Sequence, residues 1–275
     1  MSRPLAWHVE LRRQVGRRRT LWSYGLLLAL PPILVLAFWI GSRDASGAPA
    51  TGASRLVDLA QHGSANFTVF ALFAASDFLF VVIAALFAGD SVPAEASWSS
   101  LRYLLAAPVP RARLLTSKLV VAIGCTVAAV LLYVGWSLIV GAVAYGRAGY
   151  TSTGGLALDW VDFGPRLALS VGFIAVTLLQ IVGIAFLIGT RTDSPLAAAG
   201  GAVLATIVSS ILQSIDALGD LRHALPMAYS RVWFQTLNTE IAWRDLQRGV
   251  LWSLLYFLVT VGAAYLLFRR KDVLS

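Results

Sequence analysis

The run LALSVGFIAVTLLQIVGIAFLI, which occupies residues 167–188, decides the fold of this chain. It contains no charged side chain, and a helix of this length, at about 1.5 Å per residue, crosses the hydrocarbon core of a bilayer, which is roughly 30 Å thick. Lipid offers the backbone no hydrogen-bond partners, so only helices and closed barrels span it. The run lacks the polar alternation of a barrel strand, and we therefore predict a transmembrane helix.

Five further apolar runs of spanning length flank it, at residues 21–40, 67–88, 119–145, 196–212 and 250–268. Composition agrees, because 58% of the 275 residues are hydrophobic, only 13% are charged and the mean hydropathy is +0.74. We predict an all-α polytopic integral membrane protein with about six transmembrane helices. It forms a single transmembrane domain over residues 1–275, with the helix bundle at 21–268 and a cytoplasmic tail at 269–275.

Lysine and arginine residues set the predicted orientation. The N-terminal segment, the second and fourth loops and the C-terminus hold fourteen of them, whereas the alternate loops hold eight. Cytoplasmic loops carry the excess of basic residues, so both termini are predicted to be cytoplasmic in a multi-pass protein of the cell membrane. The net charge of +8 reports this topology and predicts no nucleic-acid partner.

The N-terminal segment at residues 1–20 shows a helical apolar spacing. Trp7, Leu11 and Val15 fall at i, i+4 and i+8, with arginines on other faces. This pattern predicts a short amphipathic helix that lies along the cytoplasmic surface. An unstructured basic flank is the alternative.

Catalytic and metal-binding patterns do not occur in the sequence. Cys125 is the single cysteine, and His8, His62 and His223 are scattered. No zinc-protease, hydrolase or G-x-x-x-x-G-K-[ST] phosphate-loop motif is present. We therefore predict that the chain is not an enzyme alone, holds no cofactor or metal, and depends on another polypeptide for any use of ATP.

The loop between the second and third runs predicts a short amphipathic helix. Pro93 suits the first turn of such a helix, after a cap at Asp90 or Ser91. Pro108 and Pro110 would end it before the third span begins. Its side chains include Glu95, Trp98, Leu101, Arg102, Leu104 and Leu105.

The stretch from Gly89-Asp90 through Glu95, the leucine-rich residues 101–105 and Pro108-Val109-Pro110-Arg111 to Lys118 resembles the signature of type-2 ABC-transporter permeases. The family usually has glycine–threonine just after the glutamate, whereas Ser97, Trp98, Ser99 and Ser100 stand here. The six-span plan and the ending FRRKD at residues 268–272 are also similar to the family.

The resemblance implies a permease subunit that pairs with a second copy or a paralogue and with two separate ABC ATPase subunits, which bind ATP and Mg²⁺. Residues 93–107 would form the coupling helix that sits in a cleft of the ATPase. Its implied contact residues are Glu95, Trp98, Arg102, Arg111 and Arg113. The implied function is outward transport of an amphipathic or lipid-like compound within a lipid membrane.

Two polar residues inside apolar runs are candidates for the pathway. Asp77, near the middle of the second run, could line a pathway or bind a coupling proton. It could instead be a protonated or locally hydrogen-bonded helix residue, or the run could begin near Asp77 and leave the acid at an interface, and we favour these two structural interpretations. Gln180 is predicted to hydrogen-bond between helices. An ion-coupled secondary transporter that uses Asp77 is therefore the alternative function, and a non-transporting assembly or sensor subunit is a third.

The outer loop at residues 213–248 mixes apolar and charged side chains around Pro226. This mixture suits short helices that dip back into the membrane edge, and equally a solvated cap.

Overall fold

The computed structural model describes residues 7–44, 52–93 and 111–269, and this part of the chain is mainly helical. Two short 3₁₀ helices, at Asp216–Ala224 and Val232–Leu237, lie between the last two α-helices. The α-helices are α1 Trp7–Val15, α2 Arg18–Asp44, α3 Gly52–Ala60, α4 Ser64–Ser76, α5 Leu79–Gly89, α6 Arg111–Tyr145, α7 Trp160–Arg191, α8 Pro195–Gln213 and α9 Trp243–Arg269.

Five of these helices, α2, α6, α7, α8 and α9, are long and apolar enough to cross a membrane. Together they make the described chain a helical membrane protein of several spans, as the apolar runs predict. Each of the five contains one of the predicted runs. Most of the predicted coupling helix, at residues 93–107, lies outside the described residues.

The second predicted run, at residues 67–88, is not one straight helix. It consists of α4 and α5, which are bent by 53° at a break. Asp77 ends α4, and Phe78 has φ −128° and ψ −55°, outside the regular helical geometry. The run therefore counts as a sixth candidate span only if α4 and α5 are taken together as one bent crossing. An apolar run indicates which residues suit lipid and not whether the helix through them is straight.

Helix α2 remains helical through Pro31 and Pro32. Pro32 has no backbone N–H to donate to the carbonyl of Leu28, four residues earlier. The indole Nε1 of Trp136, on α6, donates to that carbonyl at 2.8 Å. A side chain from a neighbouring span thus replaces the helical hydrogen bond that the proline removes.

Helix α7 lies at the centre of the bundle and packs against α5, α8 and α9. Helices α7 and α9 approach each other closely at Gly183, where a Cβ would meet the Thr260 hydroxyl and the Phe257 backbone. Gly89, at the end of α5, is equally confined, since a Cβ there would lie 2.8 Å from the Ala199 nitrogen of α8. Small residues permit these contacts between backbones in lipid, where van der Waals packing drives association of helices.

The turn between α6 and α7 contains a small two-stranded antiparallel sheet of β1 Tyr150–Thr151 and β2 Ala157–Leu158. It is the one addition to the predicted all-α fold in the described residues. Asn66, on α4, holds the sheet, because its Nδ2 donates to the Thr151 carbonyl at 2.6 Å and its Oδ1 accepts the Thr151 N–H at 2.9 Å. The starts of α4 and α7 are thereby joined at one end of the bundle.

Helix α1 occupies only part of the predicted segment 1–20, and α2 already begins at Arg18. Its buried side chains are polar: Glu10 is 3% exposed and Gln14 is 4% exposed. Trp7 and Val15, on the apolar stripe, are exposed. Leu11, between them on the stripe, packs against the core of the bundle. The helix therefore contacts the bundle through its polar edge and Leu11, and it leaves the two ends of the stripe at the surface of the chain, where lipid would cover them.

Candidate functional site

A group of ion pairs lies at the end of the bundle that carries the N-terminus. We call it the N-terminal cluster, and it consists of Glu10, Arg17, Arg19, Asp90 and Lys118. Lys118 Nζ donates to Glu10 Oε1 at 3.0 Å. Asp90 accepts from Arg17 Nη1 at 2.7 Å and, through its other oxygen, from Arg19 Nη1 at 3.1 Å. Three helices and the turn between α1 and α2 meet in this cluster.

The Lys118–Glu10 pair is almost completely buried, with the two side chains 1% and 4% exposed. A buried pair is expensive to form, but removal of one partner costs more, because it leaves an uncompensated charge in a low dielectric. Glu10 Oε2 is also buried, and it has no hydrogen-bond partner among the described residues. This pair therefore fixes α1 against α6 in one position.

Residues of the N-terminal cluster lie on both sides, along the chain, of segment 94–110, which contains three of the five implied ATPase contact residues. Asp90 follows α5, and Lys118 lies in the first two turns of α6. Glu95, Trp98 and Arg102 lie outside the described residues. The chain is thus tied to α2 and to the turn that precedes it immediately before that segment, and to α1 shortly after it.

The other two implied contact residues open helix α6. Arg111 is its first residue, and Arg113, in its first turn, is exposed. The exposure of Arg113 leaves it accessible at the end of the bundle.

The break between α4 and α5 holds a second ion pair. Asp77 Oδ2 accepts from Arg231 Nη2 at 2.6 Å and from Arg231 Nε at 2.7 Å. The other oxygen, Oδ1, is buried and has no hydrogen-bond partner among the described residues. A cavity of about 330 Å³ adjoins the pair, between the break and α8. The sequence singled out Asp77 as an acid within an apolar run. In the structure, its partner is Arg231, from the loop at residues 213–248.

Gln180 joins the outer loop to two helices. Its Oε1 accepts the backbone N–H of Met227 at 3.1 Å, and its Nε2 lies 3.1 Å from Met227 Sδ and 3.4 Å from Ser253 Oγ. Met227 has φ +62°, a conformation that costs a non-glycine residue about 1–2 kcal/mol, and it is 5% exposed. The predicted interhelical role of Gln180 is therefore present, with the outer loop as an additional partner.

The segment from Pro226 to Asn238, which we call the inserted segment, packs between helices. Trp233 and Leu237 are each 1% exposed. Thr236 Oγ1 lies 2.5 Å from Ser170 Oγ on α7, and Ser209 on α8 donates to the Pro226 carbonyl. A fully solvated cap does not agree with this packing over residues 226–238, although Asp216–Ala224 holds no buried residue. That these short helices dip back into the membrane edge stays a prediction.

Sequence reasoning missed Arg231, and it assigned Asp90 as a helix cap and as the acid that begins the permease-like signature. Arg231 and Asp77 are 154 residues apart, so no local pattern links them. The sequence could have indicated a partner only through chemistry, because an acid within an apolar run usually pairs with a basic residue elsewhere in the chain. Lys118 was quoted as part of the permease-like signature without a physical role.

Fold and site together define a polytopic helical membrane protein with an ion-paired N-terminal helix and a segment, residues 226–238, packed among its helices. Within this class, the chain belongs to the family described as "Protein of unknown function (DUF2705)", whose model matches residues 56–274. A search of curated proteins found no match to the chain.

Proposed function

We propose that this chain is the permease subunit of an ABC exporter, which moves an amphipathic or lipid-like compound outward with ATP hydrolysed by separate ATPase subunits. The bent pair α4–α5 counts as one crossing in this proposal, which gives six, and both termini are cytoplasmic in the cell membrane. Two ATPase subunits, which carry ATP and Mg²⁺, and a second permease copy or paralogue complete the transporter. The observation that carries the proposal is the N-terminal cluster.

The cluster supports a mechanical role for segment 94–110. Force from a separate ATPase reaches membrane helices only through a part of the chain that protrudes from the bilayer. Asp90 and Lys118, on either side of that segment, are ion-paired to the N-terminal α1–α2 region. A displacement of the segment would therefore move α1, α5 and α6 as one unit.

The break at Asp77 and Phe78 supports the next step. Because the regular helix is interrupted there, α5 can tilt relative to α4 without breaking a continuous hydrogen-bond ladder. The cavity of about 330 Å³ lies between this break and α8, so the tilt would change its width. We infer that the break is the hinge through which movement at the N-terminal end reaches the pathway.

The first experiment tests coupling through the cluster. The chain, purified with whichever ATPase subunit accompanies it, is placed in lipid nanodiscs, and ATP hydrolysis is measured with and without Asp90→Asn. We expect about a tenfold loss of substrate-stimulated hydrolysis, because two charge-assisted hydrogen bonds are weakened. Asp216→Asn is the matched control, since Asp216 also pairs with an arginine but is 94% exposed. Absence of an ATPase partner, or unchanged hydrolysis in Asp90→Asn, would contradict the proposal.

A second experiment tests the implied contacts and the orientation. Replacing Glu95 and Arg102 together should abolish coupling while membrane insertion persists. Cys125 is the single cysteine and is buried, so introduced cysteines can be labelled selectively. Arg113→Cys should react only in permeabilised cells, and Arg147→Cys, in the α6–α7 turn, should react in intact cells. The reverse result would place segment 94–110 outside and remove the ATPase from reach.

The other two functions predict different outcomes of the same work. An ion-coupled carrier would transport in liposomes without an ATPase, under a proton gradient, and would lose transport on Asp77→Asn. An assembly or sensor subunit would bind a partner whose ATP hydrolysis no substrate stimulates.

A further inference from the structure

A second cavity, of about 270 Å³, lies beside the N-terminal cluster, and neither the family nor the proposed function assigns it a role. It is a partly open cavity, lined by the α1–α2 region, the end of α5 and the beginning of α8. Polar side chains line one part of it and apolar side chains line another. The lining residues are Gln14, Arg19, Thr20, Ser23, Leu86, Phe87, Asp90, Pro195 and Leu196.

Two polar side chains in this cavity lack partners. Gln14 is 4% exposed and Thr20 is 2% exposed, and no hydrogen bond of either side chain is found within the described part of the chain. The polar atoms of both are accessible from the cavity, because neither residue is among those with a fully buried polar atom that lacks a partner. An amide and a hydroxyl that both face one cavity therefore point to a hydrogen-bonding ligand within it.

The charges around the cavity favour an anion. Arg17 and Arg19 both pair with Asp90, which leaves one positive charge in excess among the three. The Arg19 side chain is 71% exposed, so further donors of its guanidinium remain accessible. Helix α8, 19 residues long, begins at the cavity with Pro195, and the positive end of its dipole faces the same space.

The apolar part of the lining favours an amphiphile over a free ion. Leu86 and Phe87 form one wall, and Leu196, which is 79% exposed, forms the other and continues onto the surface of the bundle. The basic residues that precede α2 mark the boundary of the membrane at this level. A ligand with an anionic head and an acyl chain would satisfy both parts of the cavity.

We propose that this cavity binds the phosphate-bearing headgroup of an anionic phospholipid from the leaflet on the N-terminal side. Gln14, Thr20 and Arg19 donate to the phosphate, and an acyl chain lies along Leu86 and Leu196. The bound lipid joins α1, α5 and α8 at the cluster. The proposed lipid site does not depend on the proposed transport function, so a result that contradicts one proposal leaves the other intact.

The experiment measures lipid binding to the purified full chain. Native mass spectrometry and thermal unfolding in detergent are followed while phosphatidylglycerol, phosphatidylcholine or inorganic phosphate is added. We expect phosphatidylglycerol to raise the midpoint of unfolding, Tm, in a saturable way and to remain bound, with little effect of phosphatidylcholine. Equal effects of the two lipids would overturn headgroup recognition, and a matching effect of phosphate alone would overturn the lipid assignment.

Variants locate the binding. Gln14→Leu combined with Thr20→Val should weaken phosphatidylglycerol binding about tenfold or more, because hydrogen bonds to a charged group are lost. Gln235→Leu is the matched control, since Gln235 also has a buried oxygen without a partner among the described residues but lies in the inserted segment. Unchanged affinity in the double variant would place the lipid elsewhere.

A second variant keeps the test decisive if the double variant does not fold. Leu196→Glu puts a carboxylate at the exposed mouth of the cavity, in the first turn of α8, where an acid favours the helix. It should fold and still weaken phosphatidylglycerol binding about tenfold through repulsion. Wild-type affinity in a folded Leu196→Glu would overturn the proposal.

Discussion

Two ion-paired regions of the described chain use the same chemistry, but their side chains are buried to very different extents. In the N-terminal cluster, the side chains of Lys118 and Glu10 are 1% and 4% exposed, whereas those of Arg231 and Asp77 at the break are 73% and 32% exposed. A buried pair must stay intact because each charge would be costly alone, while an exposed pair exchanges its partners at little cost. The first region is therefore suited to hold helices in place, whereas the Asp77–Arg231 pair of the second region is suited to separate.

The largest effect that would test this contrast is expected at Lys118. Lys118→Met leaves the Glu10 carboxylate buried without its ion pair and should lower the free energy of unfolding by about 3–5 kcal/mol. The double variant Lys118→Met with Glu10→Leu should recover most of that loss. Unfolding in mixed detergent micelles measures both, and a single variant as stable as the wild type would show that the pair does not fix α1.

A smaller effect is expected at Gln180, which tests what holds the inserted segment. Gln180→Leu leaves the Met227 N–H without its acceptor, while the Ser253 hydroxyl keeps its bond to the Gly249 carbonyl, and the change should cost about 1–3 kcal/mol. The same unfolding assay applies, with Gln61→Leu, a half-buried residue in the turn between α3 and α4, as the control. If the control loses as much stability, the effect reflects the added leucine and not the lost hydrogen bonds.

The smallest effect is expected at Arg231. Arg231→Gln should cost no more than about 1 kcal/mol, because the arginine side chain is 73% exposed. Stability measured at low and at high salt sharpens the result, since the loss should shrink as salt screens the pair. A loss as large as that of Lys118→Met would mean that the break is fixed as firmly as the N-terminal cluster, and the contrast between the two regions would disappear.

Much of the site was visible in the sequence as single residues but not as pairs. Asp77 and Gln180 stand out because polar groups within apolar runs are costly, and both have specific partners in the structure. The partners themselves, Arg231 and Met227, come from an outer loop far along the chain. The burial of Glu10 and Gln14, on the polar edge of α1, also ran against the expectation from its apolar stripe.

Sequence alone determined the helical class, the six apolar runs and a helix before the first of them. Each segment determines these features separately, because every backbone group in the hydrocarbon core must find its hydrogen-bond partner within its own helix. Tertiary structure decided the 53° break between α4 and α5, the depth of the inserted segment and the choice of ion partners. These features depend on contacts between segments up to 154 residues apart, and no local sequence pattern indicates the energy of such contacts.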